Sequence, residues 1–342
     1  MREKTAQPSI LIIDSTLRDG SHALGHQLSA DTIASYCRGA EAARIPLVMV
    51  GHGNGLGSSS LQLGRALLSD RDMMIAAHSE LHNTLLGAFL LPGYGTIHED
   101  VEPVLDLGVR VLMIASHCTE ANITRQHIAY SAKKGIKTYG VLMMCHRLSP
   151  GALLVQAQLM QEYGATGVLL MDSAGALLPR EVASRITALV GGLRIDVGFH
   201  AHNNLGMAIA NSVAAVEAGA KFIDSTTRGL GAGAGNCQLE VSVEVLKKIG
   251  YRIDQDLYAL MDISEEIVAR IMKKPQEIGA VELVSGLAGV FSGFAPHVRR
   301  AADRFSVDPR DIFIELGRRQ VIAGQEDMII DVAAELAGKK KK

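Results

Sequence analysis

The sequence predicts an α/β chain: a (β/α)8 barrel of the TIM type followed by a C-terminal helical module. Three observations carry the prediction. Eight short, nearly continuous apolar runs alternate with helix-patterned stretches at intervals of roughly 25–40 residues, as parallel strands buried on both faces require. Polar and titratable residues gather just after those runs, where such a barrel places its site. Beyond about residue 253 the strand signal stops and helical periodicity continues alone.

The apolar runs lie at 10–14, 47–50, 86–91, 111–115, 138–144, 168–171, 197–201 and 222–224. Between them, 30–43 reads as a helix with Ser29 as its N-cap, and 207–218 as one stopped by Gly219. The barrel is expected over 1–252 and the module over 253–337, with 338–342 as a disordered lysine tail. Within the module, helical segments are expected at 262–273, 278–295, 298–305 and 327–336, covering one end of the barrel or docking a partner. The Gly231-Ala-Gly-Ala-Gly-Asn236 stretch resembles part of a dinucleotide fingerprint, but no later strand supplies the acidic ribose partner. A close turn at the barrel mouth is the expected role.

The 342 residues are 48% hydrophobic and 20% charged, a globular profile with a sizeable core. Lys+Arg 34 against Asp+Glu 36 leaves a formal charge of −2, without the basic footprint of a nucleic-acid binder. Cys37, Cys118, Cys145 and Cys237 are scattered and form no CxxC, so neither a zinc finger nor a disulfide framework is expected. With no signal-peptide core and no apolar run long enough to span a bilayer, a cytoplasmic protein without membrane contact is expected.

The strand ends hold the chemistry. Strand one runs into Asp14-Ser-Thr-Leu-Arg-Asp-Gly-Ser-His22, strand two into Gly51-His-Gly-Asn-Gly-Leu-Gly57, strand six into Asp172-Ser173 and strand seven into His200-Ala-His-Asn-Asn204. His200 and His202 are two apart on a strand, so both rings face one way. Alone, such a pair is as often structural as functional. With Asp19 from the opposite strand end, the two imidazoles complete a facial triad for a divalent metal, leaving positions for substrate oxygens and water. A Schiff-base mechanism would need a lysine at a strand's C-terminal end, and Lys137 and Lys221 both precede their strands. Cys145 and His146 are adjacent but form no dyad, since strand neighbours point to opposite faces. His52 can border the pocket or stay structural; His78, His82, His98, His127 and His297 read as surface or core histidines.

Asp14-Ser-Thr-Leu-Arg-Asp-Gly20 together with His200-Ala-His-Asn203 resembles the signature of the HMG-CoA-lyase-like metal-dependent barrel superfamily. Further stretches resemble the 4-hydroxy-2-oxovalerate aldolase family in particular: Gly20-Ser-His22, His52-Gly-Asn-Gly-Leu-Gly57, Leu91-Pro-Gly-Tyr-Gly-Thr96, His117-Cys-Thr-Glu-Ala121, Asp172-Ser-Ala-Gly-Ala176, Gly231-Ala-Gly-Ala-Gly-Asn236 and Gly324-Gln-Glu-Asp327. The similarity spans nearly the whole chain. It implies a carbon–carbon lyase that cleaves a 4-hydroxy-2-oxo acid to pyruvate and an aldehyde, reversibly, with a divalent metal, Mn2+ by family habit. It also implies an acylating aldehyde dehydrogenase as partner and a place in aromatic hydrocarbon catabolism. On this reading Asp19, His200 and His202 hold the metal and Arg18 stabilises the pyruvate enolate. His22 is the base for the C4 hydroxyl. Ser173 either hydrogen-bonds substrate or caps a turn.

The sequence departs from that family in three places. Gly289-Val-Phe-Ser292 carries Phe291 where relatives usually have Tyr, Phe89 stands where an aliphatic residue is common, and in Val50-Gly-His52 a Gly stands before the His where a Thr is usual. Phe89, Leu91 and Phe291 are therefore expected to shape an aldehyde pocket that admits a larger C4 substituent. An acyl-CoA Claisen-type enzyme of the same superfamily is the alternative, but such synthases usually carry Gly-Glu-Arg-Ala-Gly-Asn at 231–236. A non-catalytic scaffold would have no need of Arg18, Asp19, His22, His200 and His202.

Overall fold

A computed structural model describes residues 7–340, without the side chain of the last. Its eight strands form a closed parallel barrel in chain order, β1 pairing with β8. They are β1 (Leu11–Asp14), β2 (Leu47–Val50), β3 (Leu85–Leu90), β4 (Val109–His117), β5 (Lys137–Met143), β6 (Gly167–Asp172), β7 (Asp196–Ala201) and β8 (Phe222–Ser225). The barrel helices are α1 (Ala30–Ala42), α2 (Asp70–His78), α3 (Glu102–Asp106), α4 (Arg125–Lys133), α5 (Pro150–Glu162), α6 (Pro179–Gly192), α7 (Ala208–Glu217) and α8 (Leu239–Lys248). Ser29 caps α1 as the sequence suggests, its side chain accepting from the Thr32 N–H at 3.2 Å.

The two-residue period of the strands divides the apolar residues into two cores. Val48, Ala88, Leu112, Leu170 and Phe199 face outward onto the helices. Ile13, Met49, Phe89, Met113, Leu169 and Phe222 fill the barrel. The interior core is continuous with that of the C-terminal module, reaching Val298, Phe313 and Val332. The module therefore closes over the barrel.

The module comprises α9 (Leu257–Asp262), which passes through a π-helical turn into the short α10 (Ala269–Ile271), then α11 (Ala280–Ala288), α12 (Ala295–Phe305), α13 (Pro309–Arg318) and α14 (Asp327–Lys340). Three expectations need correction. The helix read at 278–295 is two helices, because Gly289 at φ 62° ends α11 and Val290–Gly293 turns toward the barrel. Helix α13 was not anticipated, although Asp308 as N-cap and Pro309 at the first position announce it. Helix α14 runs on through Lys340, so 338–340 is helical rather than a tail, and residues 341–342 lie outside the described region.

No helix among the described residues is long and apolar enough to cross a membrane.

Candidate metal centre and active site

Asp19 opens a 3-10 turn (Asp19–His22) in the loop that follows β1, pinned by its N–H donating to the Ser15 carbonyl at 2.7 Å. His200 on β7 and His202, one residue past its end and bridged to Asn236, flank Ala201, which joins the outer core. Their ring centroids are 5.0 Å apart. One ligand atom from each of Asp19, His200 and His202 falls within 4.8 Å of the others, and all three residues are buried.

The donor set fits a divalent cation. His200 Nδ1 is bonded to Asp224 Oδ2 at 2.9 Å, which fixes the ring and leaves the buried Nε2 without a partner among the described residues. Asp19 accepts from Arg18 Nη1 at 2.9 Å on one oxygen and from Asn236 Nδ2 at 2.7 Å on the other. Burial alone would raise the Asp19 pKa. The Arg18 guanidinium and the three nearby imidazoles outweigh it, holding the carboxyl well below its ordinary range. Burial pulls His202 down to about 4, with Asp19 offsetting it only in part, so its imidazole is neutral and available near pH 7.

Asp224 and Asn236 escaped the sequence reading. Asp224 is the register partner of His200 on β8, two residues beyond the inward Phe222, so strand alternation could have found it. Asn236 reaches Asp19 because the Gly-rich stretch folds tightly. A Cβ at Gly231 would sit 2.2 Å from Asn236 Nδ2 and 2.8 Å from Asp19 Oδ2. Gly233 and Gly235 take φ of 65° and 87°. The stretch is thus a close turn at the mouth.

His22 lies half-buried at the end of the turn, on the wall of a cavity of about 940 Å³. It packs over Gly53, where a Cβ would come 2.4 Å from its Nε2. Burial lowers its pKa, against the opposing pull of Asp19. Two further histidines stand behind it. His26 is 5.1 Å from His22 between ring centroids and stacks on His52 at 3.6 Å. His52 is wholly buried and is not on the cavity wall, its Nε2 contacting the Gly64 carbonyl at 3.0 Å.

Leu91, Tyr94, Phe291 and Phe294 also line the cavity, and His297 borders it rather than lying on a plain surface. The structure corrects one other expectation and favours one alternative of a second. Phe89 is not on the wall: facing the barrel interior, it lies beneath Arg18, whose guanidinium carbon is 4.5 Å from the ring centroid. Ser173 braces turns. Its Oγ accepts from the Met144 N–H at 3.0 Å, and its carbonyl accepts from the Ser292 N–H at 3.1 Å. Ser292 Oγ also accepts from Asn204 Nδ2 at 2.9 Å, so this pair seats the Phe291 loop over the barrel.

Residues 9–267 match the HMGL-like family, and residues 276–338 match a DmpG-like communication domain. The chain is 51% identical to a 4-hydroxy-2-oxovalerate aldolase of Spirochaeta aurantia, covering 96% of this chain and 97% of that one. It is 50% identical to a protein of the same name from Pectobacterium atrosepticum strain SCRI 1043, covering 96% of each. Among solved structures, the carboxyl transferase domain of Rhizobium etli pyruvate carboxylase superposes with a TM-score of 0.82 at 16% identity. That match covers 98% of this chain and 61% of that one, and shows the shared fold.

Proposed function

The chain belongs to the HMGL-like family, and on that premise we propose that it is a metal-dependent pyruvate aldolase. It cleaves 4-hydroxy-2-oxovalerate, or an analogue with a larger C4 substituent, to pyruvate and an aldehyde, reversibly. The observation that carries this reading is the buried Asp19, His200 and His202 cluster with Arg18 and His22 beside it.

Asp19, His200 and His202 would hold the cation, which we propose is Mn2+ on the family resemblance, since two imidazoles and one carboxylate also accept Co2+, Mg2+ or Zn2+. The bound cation supplies Lewis-acid polarisation of the substrate's 2-oxo group. His22, neutral near pH 7, takes the C4 hydroxyl proton. As the C3–C4 bond breaks, its electron pair passes to the pyruvate enolate while C4 becomes the aldehyde carbonyl. A proton returned to C3 then yields pyruvate. Arg18, buried at 2% exposure, supplies a fixed positive charge for that enolate. Leu91 and Phe291, on the cavity wall, face the aldehyde half. Ser173 contributes by seating the Phe291 loop.

The communication-domain match supports a partner enzyme, for which we propose an acylating aldehyde dehydrogenase that takes up the aldehyde product. Leu283 and Leu287, one turn apart on α11, are 41% and 70% exposed, as a docking face requires. Four buried, unpaired cysteines support a reducing cytoplasm.

The test is retro-aldol turnover of 4-hydroxy-2-oxo acids by the metal-loaded protein, with pyruvate release and free-CoA release followed in parallel. Metal-dependent pyruvate release supports the aldolase. CoA release from an acyl-CoA, without pyruvate, would assign the Claisen-type reaction instead.

A further inference from the structure

Arg18 is held less completely than its burial demands. Nη1 donates to Asp19 at 2.9 Å and reaches the Gly53 carbonyl at 3.4 Å. Nη2 reaches Ser15 Oγ at 3.5 Å and Asp224 at 3.7 Å, while Nε has no partner among the described residues. A long side chain with five donors and one good bond is poorly fixed by hydrogen bonding alone.

What lies beneath it is an aromatic ring. Ala88 and Leu90 pack outward on β3, whereas Phe89 turns inward with Ile13, Met49 and Met113. Its centroid is 4.5 Å from the guanidinium carbon, and both residues are 2% exposed. The negative face of a ring attracts a cation most strongly where water is excluded. A leucine there would fill space but carry no quadrupole.

We propose that Phe89 is a positioning residue for Arg18, acting through it on the pyruvate half of the site. The proposal rests on the aldolase reading above for its consequence, and on geometry alone for the contact. Replacing the ring removes an interaction of about 0.5–2 kcal/mol, a factor of roughly 2–30.

The experiment compares wild type, Phe89→Leu and Phe89→Tyr. Phe89→Met, nearer in volume, replaces the leucine variant if that one does not fold. The Mg2+-loaded protein with labelled arginine gives the Arg18 side-chain NMR resonances, identified by their loss in Arg18→Lys. In Phe89→Leu they move downfield as the ring current disappears, and in Phe89→Tyr they stay. Oxalate affinity and exchange of pyruvate methyl protons with solvent deuterium fall between about 2- and 30-fold in Phe89→Leu. Phe89→Tyr restores both. Unmoved Arg18 resonances, or unchanged oxalate affinity in Phe89→Leu, would overturn the proposal. If wild type neither exchanges pyruvate nor cleaves hydroxy-oxo acids, the aldolase reading fails. The resonance comparison then still decides whether Phe89 holds Arg18.

Discussion

Asp19, His200, Asp224, Arg18 and Asn236 are buried and joined by hydrogen bonds of 2.7–2.9 Å. Leu91, Tyr94, Phe291 and Phe294 face the cavity from loops and from the module, joined to their surroundings chiefly by packing. The contrast follows from the cost of error. A buried charge that loses its partner costs several kcal/mol, so the Asp19, His200 and His202 cluster is built on strand register and short hydrogen bonds, although Arg18 Nε, Asp224 Oδ1 and Asn236 Oδ1 have no partner among the described residues. An apolar wall tolerates a change of size for about 1–3 kcal/mol, so the cavity's wall at Leu91 and Phe291 can rest on loops.

The sharpest way to break that contrast is to remove the metal. Chelation, or Asp19→Asn, is expected to lower turnover by roughly a thousandfold or more, as loss of several kcal/mol of charge stabilisation implies. Metal analysis and retro-aldol kinetics check it, and near-normal turnover without metal would remove the basis of the division. Next comes His22→Ala, expected to cost about 10²–10⁴ in kcat while metal content stays at the wild-type level. Asp224→Asn is expected to weaken metal affinity about 10–100-fold, because the His200 ring loses its anchor. A metal titration of each variant reads this directly.

On the other side, Phe291→Leu is expected to shift the preference among C4 substituents by about tenfold or less, with oxalate affinity unchanged. A drop in oxalate affinity would show that the two halves are not separable.

The smallest effect concerns the histidines behind His22. Burial, and the nearby His22 ring, lower the His52 pKa from 6.5 to about 4. Between those values the unfolded chain holds a proton that the folded imidazole does not. Stability therefore falls as pH drops from 6.5 toward 4, and His52→Gln should flatten that slope. Urea unfolding of the metal-free protein at pH 5 and pH 7 measures it.

The eight strands and the inward pairing of His200 with His202 were legible because a buried parallel strand needs an unbroken apolar run and its side chains alternate. The strand ends shifted by at most one residue except at β4, which extends two residues further at each end, to Val109 and His117. The module was read less well. Its helices have the right period, but Gly289 splits one and Pro309 starts another, and both are single-residue signals inside helical patterning.

The sequence by itself determined the barrel and, through strand period and the family resemblance, singled out Asp19, His200 and His202, which the structure gathers into one buried cluster. Tertiary structure alone decided what each aromatic residue does. Phe89 and Phe291 read alike as pocket residues in the sequence. Strand alternation sends the first under Arg18, and a loop seated by Ser173 and Asn204 brings the second to the cavity. Contacts between residues about two hundred apart, such as Asn236 on Asp19, exist only once the barrel has closed.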